Sequence, residues 1–331
     1  MEKKAFLLSG MRPTGPLHLG HLVGVLENWV RLQDEYICFF MVADWHALMS
    51  EYTKPQIIKD YVLDNVLDWL SIGISPQKSI IFRQSEVKEH LELAMLFSII
   101  IPLSWLERCP TYKEQMQELK NKDVSSYAFL GYPVLQAADI LLYKAEFVPI
   151  GEDQLPHLEI AREIVRRFRH LYKKDIFPLP QPLLTSQSRL RGIDNRKMSK
   201  SYNNFIALTD SEKLIKQKVI SMITDPKKIK KHDPGRPSIC NVYDYHKIFT
   251  REEIQYRIEQ INQDCRTGAL GCVECKSMLA DKLIRYLDNL QQKRKKYDSD
   301  MVLEILKKGK ELAQERADKT MQEVKSILGL L

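Results

Sequence analysis

The chain has 331 residues, of which 44% are hydrophobic and 28% charged, with a formal net charge of +7 at pH 7. That composition can bury a large core and the length suggests two domains, which excludes a disordered or fibrous chain. The basic excess suits a polyanionic partner without naming one, and every uncharged apolar stretch is too short to span a bilayer.

Residues 5–8 form an apolar run of strand length, and the glycine- and proline-punctuated segment 9–16 reads as a turn. The run is too brief for the apolar core of a signal peptide and Arg12 follows it closely, so a cytoplasmic protein is expected. A helical pattern opens at Leu17 and continues through Leu22, Val25, Leu26 and Trp29. Residues 36–42 and 79–83 read as buried strands with a helix over 55–72 between them, and 93–106 and 132–143 read as apolar helices. Alternation of this kind as far as residue 184 predicts an α/β fold, a Rossmann-like parallel sheet with crossover helices. Ligands bind such sheets beyond the carboxyl ends of the strands, where the turns at His18 and at residues 44–46 fall. Past residue 209 no strand pattern recurs; helices are expected over 211–223, 251–261, 275–295 and 298–328. The predicted division is therefore a catalytic domain at 1–205 and an all-α C-terminal domain at 206–331.

Two segments carry chemistry. His18-Leu19-Gly20-His21 opens the first helix, whose free N–H groups and positive dipole end suit phosphate. His18 and His21 share one face of that turn, and Gly20, lacking a Cβ, lets a flat base approach the backbone. Far downstream, Lys197-Met198-Ser199-Lys200-Ser201 offers two ammonium groups whose interaction strengthens as charge moves onto a leaving pyrophosphate, with hydroxyls as added donors. Alone, the first segment reads as two capping or core histidines and the second as a solvated charge run; together they point to chemistry at the α-phosphate of ATP.

In this pairing the chain resembles the class I aminoacyl-tRNA synthetases. The segments Gly131-Tyr132-Pro133-Val134-Leu135-Gln136-Ala137-Ala138-Asp139 and Gly151-Glu152-Asp153-Gln154-Leu155-Pro156-His157 narrow the resemblance to the bacterial tryptophanyl branch, over essentially the whole chain. It implies ATP and Mg²⁺, L-tryptophan and tRNA(Trp) as partners, a homodimer, and catalysis by His18, His21, Lys197 and Lys200. The same resemblance implies that Arg12, Gly20, Lys113, Gly151, Asp153, Met198, Ser199 and Ser201 contact the nucleotide.

The amino-acid pocket is legible on its own terms. Tyr132, Gln136, Asp139 and Tyr143 place a polar stripe on an otherwise apolar helix, and a carboxylate there is costly to bury unless something donates to it. An indole N–H is such a donor; the alternative is an internal ion pair. The resemblance gives Asp139 the indole nitrogen, Tyr132 and Gln154 the ammonium group, and His46 a pocket wall. Gln136 departs from the methionine common in bacterial tryptophanyl enzymes and matches tyrosyl enzymes, which keeps tyrosine–tRNA ligase as the alternative, beside other nucleotidyltransferases with a His-x-Gly-His segment.

Six cysteines without a secretory signal argue against a disulfide framework. Cys240, Cys265, Cys272 and Cys275 end in a C-x-x-C pair and make a thiolate cage for which zinc and a [4Fe–4S] cluster are both candidates. Some bacterial tryptophanyl enzymes carry such a cluster with similar spacing, so [4Fe–4S] is expected, with zinc as the alternative. Basic runs at 162–174, 227–231 and 293–296 read as solvated faces or as phosphate contacts for tRNA.

Overall fold

Five parallel strands, β1 (Phe6–Met11), β2 (Ile37–Val42), β3 (Ser79–Arg83), β4 (Phe147–Ile150) and β5 (Gln181–Leu184), form one sheet in the order β3-β2-β1-β4-β5. The computed structural model describes residues 4–110, 112, 126–184, 190–198, 200–250 and 255–331, without the side chains of 201, 255 and 256. Contacts divide the chain into two compact units: residues 1–15, 29–186 and 297–331, and residues 16–28 and 187–296.

The sheet belongs to the first unit. Strand β2 reads Ile-Cys-Phe-Phe-Met-Val and is buried along nearly its whole length, as a parallel strand covered on both faces must be. The order reverses between β1 and β4, so the crevice for a ligand opens where these two strands end. Strands β4 and β5 are absent from the sequence reading because Pro149 and Pro182 interrupt both runs. Pro182 is tolerated because β5 is an edge strand with one side free of ladder bonds.

Helices follow the expected periodicity, with informative exceptions. The first helix is composite: His18 remains extended at φ −136° and ψ 171°, Leu19–His21 is α-helical, Leu22–Leu26 is a wide π-type turn, and α1 (Glu27–Glu35) resumes. Next come α2 (Asp44–Glu51), α3 (Gln56–Ile72) and α4 (Glu89–Ile100). The helix expected over 93–106 is broken, since Pro102 ends α4 and a separate turn, Leu103–Glu107, follows. Then α5 (Tyr132–Leu142) and α6 (Leu155–Tyr172) complete the crossovers. The core between sheet and helices includes Trp29, which stacks on Phe40 at 4.4 Å between ring centroids and donates from Nε1 to Ser9 Oγ at 3.1 Å.

In the second unit, α7 (Glu212–Ser221), α8 (Asn241–Phe249), α9 (Gln255–Thr267) and α10 (Cys272–Arg294) pack together. Ser211 caps α7 by accepting from Leu214 N at 3.4 Å. The last helix, α11 (Ser299–Leu328), returns to the first unit and lies against edge strand β3. Its buried stripe is Val302, Leu306, Gly309, Ala313, Ala317, Met321 and Val324. Small residues at its centre allow so close an approach that a Cβ on Gly309 would stand 1.8 Å from Ile81 O, so the backbone of α11 shields a sheet edge.

Candidate active site

In the first unit, residues that follow the carboxyl ends of strands are Arg12 after β1, His46 after β2, Gln84 after β3 and Gly151 after β4. Asp139, on α5, is 2% exposed. Its Oδ1 accepts from His90 Nδ1 at 2.6 Å and from Gln84 Nε2 at 2.8 Å, and its Oδ2 from His46 Nε2 at 2.7 Å and Gln84 Nε2 at 3.0 Å. Burial alone would raise its pKa, but the two histidines beside it hold the carboxyl below the usual carboxylate value. The chain thus spends three buried donors to keep one carboxylate ionised.

The stripe on α5 is present as the spacing predicts. Tyr132 packs against the rings of His46 and His157, at 4.3 Å and 5.4 Å between centroids, and burial of its hydroxyl raises its pKa. His157 Nδ1 donates to Gln154 Oε1 at 3.1 Å, and burial lowers the His157 pKa to about 4, so the ring is neutral near pH 7. Gln136 Oε1 and His46 Nδ1 are buried without a hydrogen-bond partner among the described residues. At the start of the turn into α6, a Cβ on Gly151 would fall 2.6 Å from Asp153 Oδ1, so the missing side chain leaves that carboxylate its place.

The second unit joins the two signature segments. His18 forms an antiparallel bridge with Ala207; Leu19 N donates to Ile206 O at 3.0 Å and Leu208 N to Leu17 O at 2.9 Å. Met198 seats its sulfur on Gly20, where a Cβ would come within 3.1 Å of Sδ and 3.0 Å of the His18 ring. The His18 and His21 rings lie 3.7 Å apart, and His18 N donates to His21 Nδ1 at 3.2 Å, which leaves Nε2 of a neutral His21 as a donor. Burial, aided by the Lys200 ammonium, lowers the His18 pKa to about 3, so this imidazole is neutral near pH 7. Its Nδ1 is buried without a partner among the described residues.

The lysine loop is tied down. Asn204 Nδ2 donates to Asp194 Oδ1 at 2.7 Å and Lys197 O at 3.0 Å, Arg191 bridges to Lys197, and Tyr245 Oη on α8 donates to Arg191 O at 2.7 Å. Lys113 and Ser199 lie outside the described residues, as does the side chain of Ser201.

All six cysteines are free thiols. Cys240, Cys265, Cys272 and Cys275 lie within electrostatic reach of one another; burial first, then the other sulfurs, raise Cys275 to about 12. Among the described residues, however, no three His, Cys, Asp or Glu side chains are drawn together tightly enough to hold a metal ion. Lys228, within a run read as a solvated face or a tRNA phosphate contact, is buried beside this group, its Nζ donating to Asp233 O at 2.5 Å.

Sequence reasoning missed Gln84 and His90, which fix Asp139. The signal for Gln84 was available, since it directly follows a buried parallel strand; His90 sits inside a helical pattern that shows only an ordinary polar interruption.

The family model for tRNA synthetases class I (W and Y) matches residues 1–288. The tryptophan–tRNA ligase of Thermotoga maritima is 50% identical over 328 residues, 98% of this chain and 99% of that one, and the ligase of Aquifex aeolicus is 42% identical over 98% of this chain and 99% of its own length. A solved Campylobacter jejuni tryptophanyl-tRNA synthetase, complexed with ADP and tryptophan, superposes with a TM-score of 0.88 at 32% identity, covering 98% of this chain and 100% of that one. With its two signature segments in contact and these relatives matching it end to end, the chain belongs to the class I tRNA synthetases, in their tryptophan–tRNA ligase branch.

Proposed function

We propose that this tryptophan–tRNA ligase works in two steps carried by positioning and charge rather than by a covalent side-chain intermediate. A carboxylate oxygen of L-tryptophan attacks the α-phosphorus of Mg²⁺–ATP, the bond to pyrophosphate breaks, and tryptophanyl-AMP remains. The terminal ribose hydroxyl of tRNA(Trp) then attacks the activated carbonyl and releases AMP. His18 and His21, neutral or donating through Nε2, and the ammonium groups of Lys197 and Lys200 stabilise charge as it shifts toward pyrophosphate. Met198 and Gly20 shape the surface for the base, with Ser199, Ser201, Lys113 and Arg12 as further phosphate donors. Gly151 and Asp153 take the ribose, Tyr132 and Gln154 the substrate ammonium, and His46, Gln136 and Asp139 the indole end.

The observation that carries this reading is Met198 seated on Gly20 with Lys200 acting on the His18 ring, because it unites two segments that are separately unremarkable. ATP–pyrophosphate exchange with each amino acid in turn tests it: tryptophan alone supports exchange. Exchange dependent on tyrosine instead defeats the assignment. By family resemblance the enzyme acts in the cytoplasm as a symmetric dimer, with residues 1–205 activating the amino acid and helices from 206–331 meeting the anticodon.

Cys240, Cys265, Cys272 and Cys275 fit a [4Fe–4S] cluster in kind, being four soft donors in mutual reach with Lys228 as a nearby compensating charge. Neutral thiols have no attraction to draw them to bonding distance, whereas a cationic metal centre supplies it. Cys240 before α8, Cys265 on α9 and Cys272 and Cys275 at the start of α10 would hold it, and the cluster would supply cross-links among these elements. Anaerobically purified protein is then brown, with visible absorbance that dithionite bleaches; colourless protein with stoichiometric zinc reverses the assignment.

A further inference from the structure

The basic run at 227–231 lies in the loop between α7 and α8, and that loop is built from within. Its neck is closed by one carboxylate: Asp225, 4% exposed, accepts from Lys227 N at 2.9 Å, from Arg236 N and Nε at 2.9 Å each and from Arg236 Nη2 at 2.5 Å. A second carboxylate organises the tip, where Asp233 Oδ2 accepts from Ile229 N at 3.1 Å and from Lys230 N at 2.7 Å. Lys228 is turned inward onto Asp233 O, and Gly235 N donates to Cys265 O at 2.8 Å, which ties the loop to α9. The turn between α9 and α10 makes room for it. A Cβ on Gly268 would stand 2.2 Å from His232 O, and one on Gly271 would stand 3.1 Å from Lys231 Cγ.

With Lys228 inside, Lys227, Lys230 and Lys231 remain exposed, and Ile229 stands among them at 86% exposure. Neighbouring ammonium groups repel one another, and a run of like charge is ordinarily disordered. A loop that served only to be solvated would gain nothing from being held against that repulsion. A rigid cationic surface with a bare aliphatic side chain at its centre complements an unpaired stretch of RNA, which offers phosphates to the ammonium groups and an unstacked base face to the isoleucine.

We propose that residues 225–236 form a preorganised RNA-contacting prong. Lys227, Lys230 and Lys231 take phosphates of an unpaired loop of the tRNA substrate, Ile229 covers one of its bases, and Asp225, Lys228 and Asp233 are positioning residues. The proposal rests on the tRNA-ligase reading above and goes beyond it by naming the side chains that meet the RNA. Ordering the loop in advance removes its entropy from the cost of association.

The test is binding of tRNA(Trp) to the full chain across a series of salt concentrations. Lys227→Ala/Lys230→Ala/Lys231→Ala lowers the log–log salt slope by about 2, at about 0.7 for each single-strand phosphate contact, and weakens binding about 100-fold at 0.1 M salt. Ile229→Ala weakens binding about 3- to 10-fold and leaves the slope where it was. Asp233→Ala separates positioning from bulk charge: it removes an anion beside the lysines, so charge alone predicts tighter binding, whereas loss of the clamp predicts binding about 10-fold weaker. Asp233→Asn, which keeps an oxygen acceptor, restores the affinity. A triple variant with the wild-type slope overturns the proposal, as does a slope change no larger than that of Lys54→Ala/Lys59→Ala/Lys88→Ala, three exposed lysines of the first unit. An Asp233→Ala protein that binds more tightly overturns it too. Absence of tryptophan-dependent ATP–pyrophosphate exchange in the wild type instead removes the functional reading, and this inference with it.

Discussion

Substituting Gly309 by alanine sets two well-understood effects against each other. Alanine is the best helix former and glycine costs up to about 1 kcal/mol in a helix interior, so propensity alone predicts that Gly309→Ala stabilises the 30-residue helix α11. Geometry predicts the reverse. The added Cβ would lie 1.8 Å from Ile81 O and 2.6 Å from Ile81 C, where side-chain carbons essentially never come closer than 3.0 Å. The obstacle is the carbonyl of edge strand β3, which cannot rotate aside as a side chain can. Helix and strand must therefore part by about 1.2 Å, the difference between 1.8 and 3.0 Å, along a seam that also buries Ala313, Ala317 and Met321. Overpacking of this order costs about 1–3 kcal/mol or more, which exceeds the propensity gain of up to about 1 kcal/mol and leaves a net loss on the order of 1 kcal/mol or more. Urea denaturation of the full chain reads this directly, with Gly24→Ala as the control: nothing lies within 4 Å of a Cβ at Gly24, so that substitution is neutral or stabilising. A Gly309→Ala protein as stable as the parent would refute the packing of α11 on the sheet edge.

Lys200→Ala lowers the rate of ATP–pyrophosphate exchange about 100- to 1,000-fold with little change in the KM for tryptophan; because Lys200 helps depress His18, the same variant moves the His18 titration upward from about 3, as NMR would record. His18, His157 and His246 are held neutral by burial, with pKa values near 3, 4 and 4 against an ordinary 6.5. The unfolded chain takes up their protons first, so the stability they support is complete above about pH 6.5 and falls below it, by up to about 4 kcal/mol per pH unit near pH 5; urea midpoints unchanged between pH 7 and pH 5 contradict this. Asp139 acts at the other end, since its depressed pKa contributes stability above the ordinary carboxylate value that is lost as pH falls through the lower folded value. Asp139→Asn removes that dependence and costs about 3–5 kcal/mol at neutral pH by breaking a buried charged network, measurable by the same titration.

What the sequence disclosed, and what it did not, separates along physical lines. The nucleotide segments were legible because each needs particular residue types at the backbone: a glycine under a methionine, two imidazoles at a helix start. The stripe on α5 was legible because one helix imposes its own spacing. Strands β4 and β5 escaped notice because prolines are admissible in a short strand and at a sheet edge but look like loop from within the chain. Helix α8 was missed because Tyr243, Asp244 and Lys247 interrupt its apolar pattern, and its buried face is defined by Tyr245 and Asn241 reaching Arg191 and Gly192.

The Asp139 network shows why the remaining information lies beyond any local reading. A carboxylate on an apolar helix announces that a donor is needed, yet nothing in the chain between residues 131 and 143 says how many donors arrive or from where. Three come, from positions 49, 55 and 93 residues away. The surroundings of this stripe position are thus set by partners far along the chain, which spacing alone cannot carry.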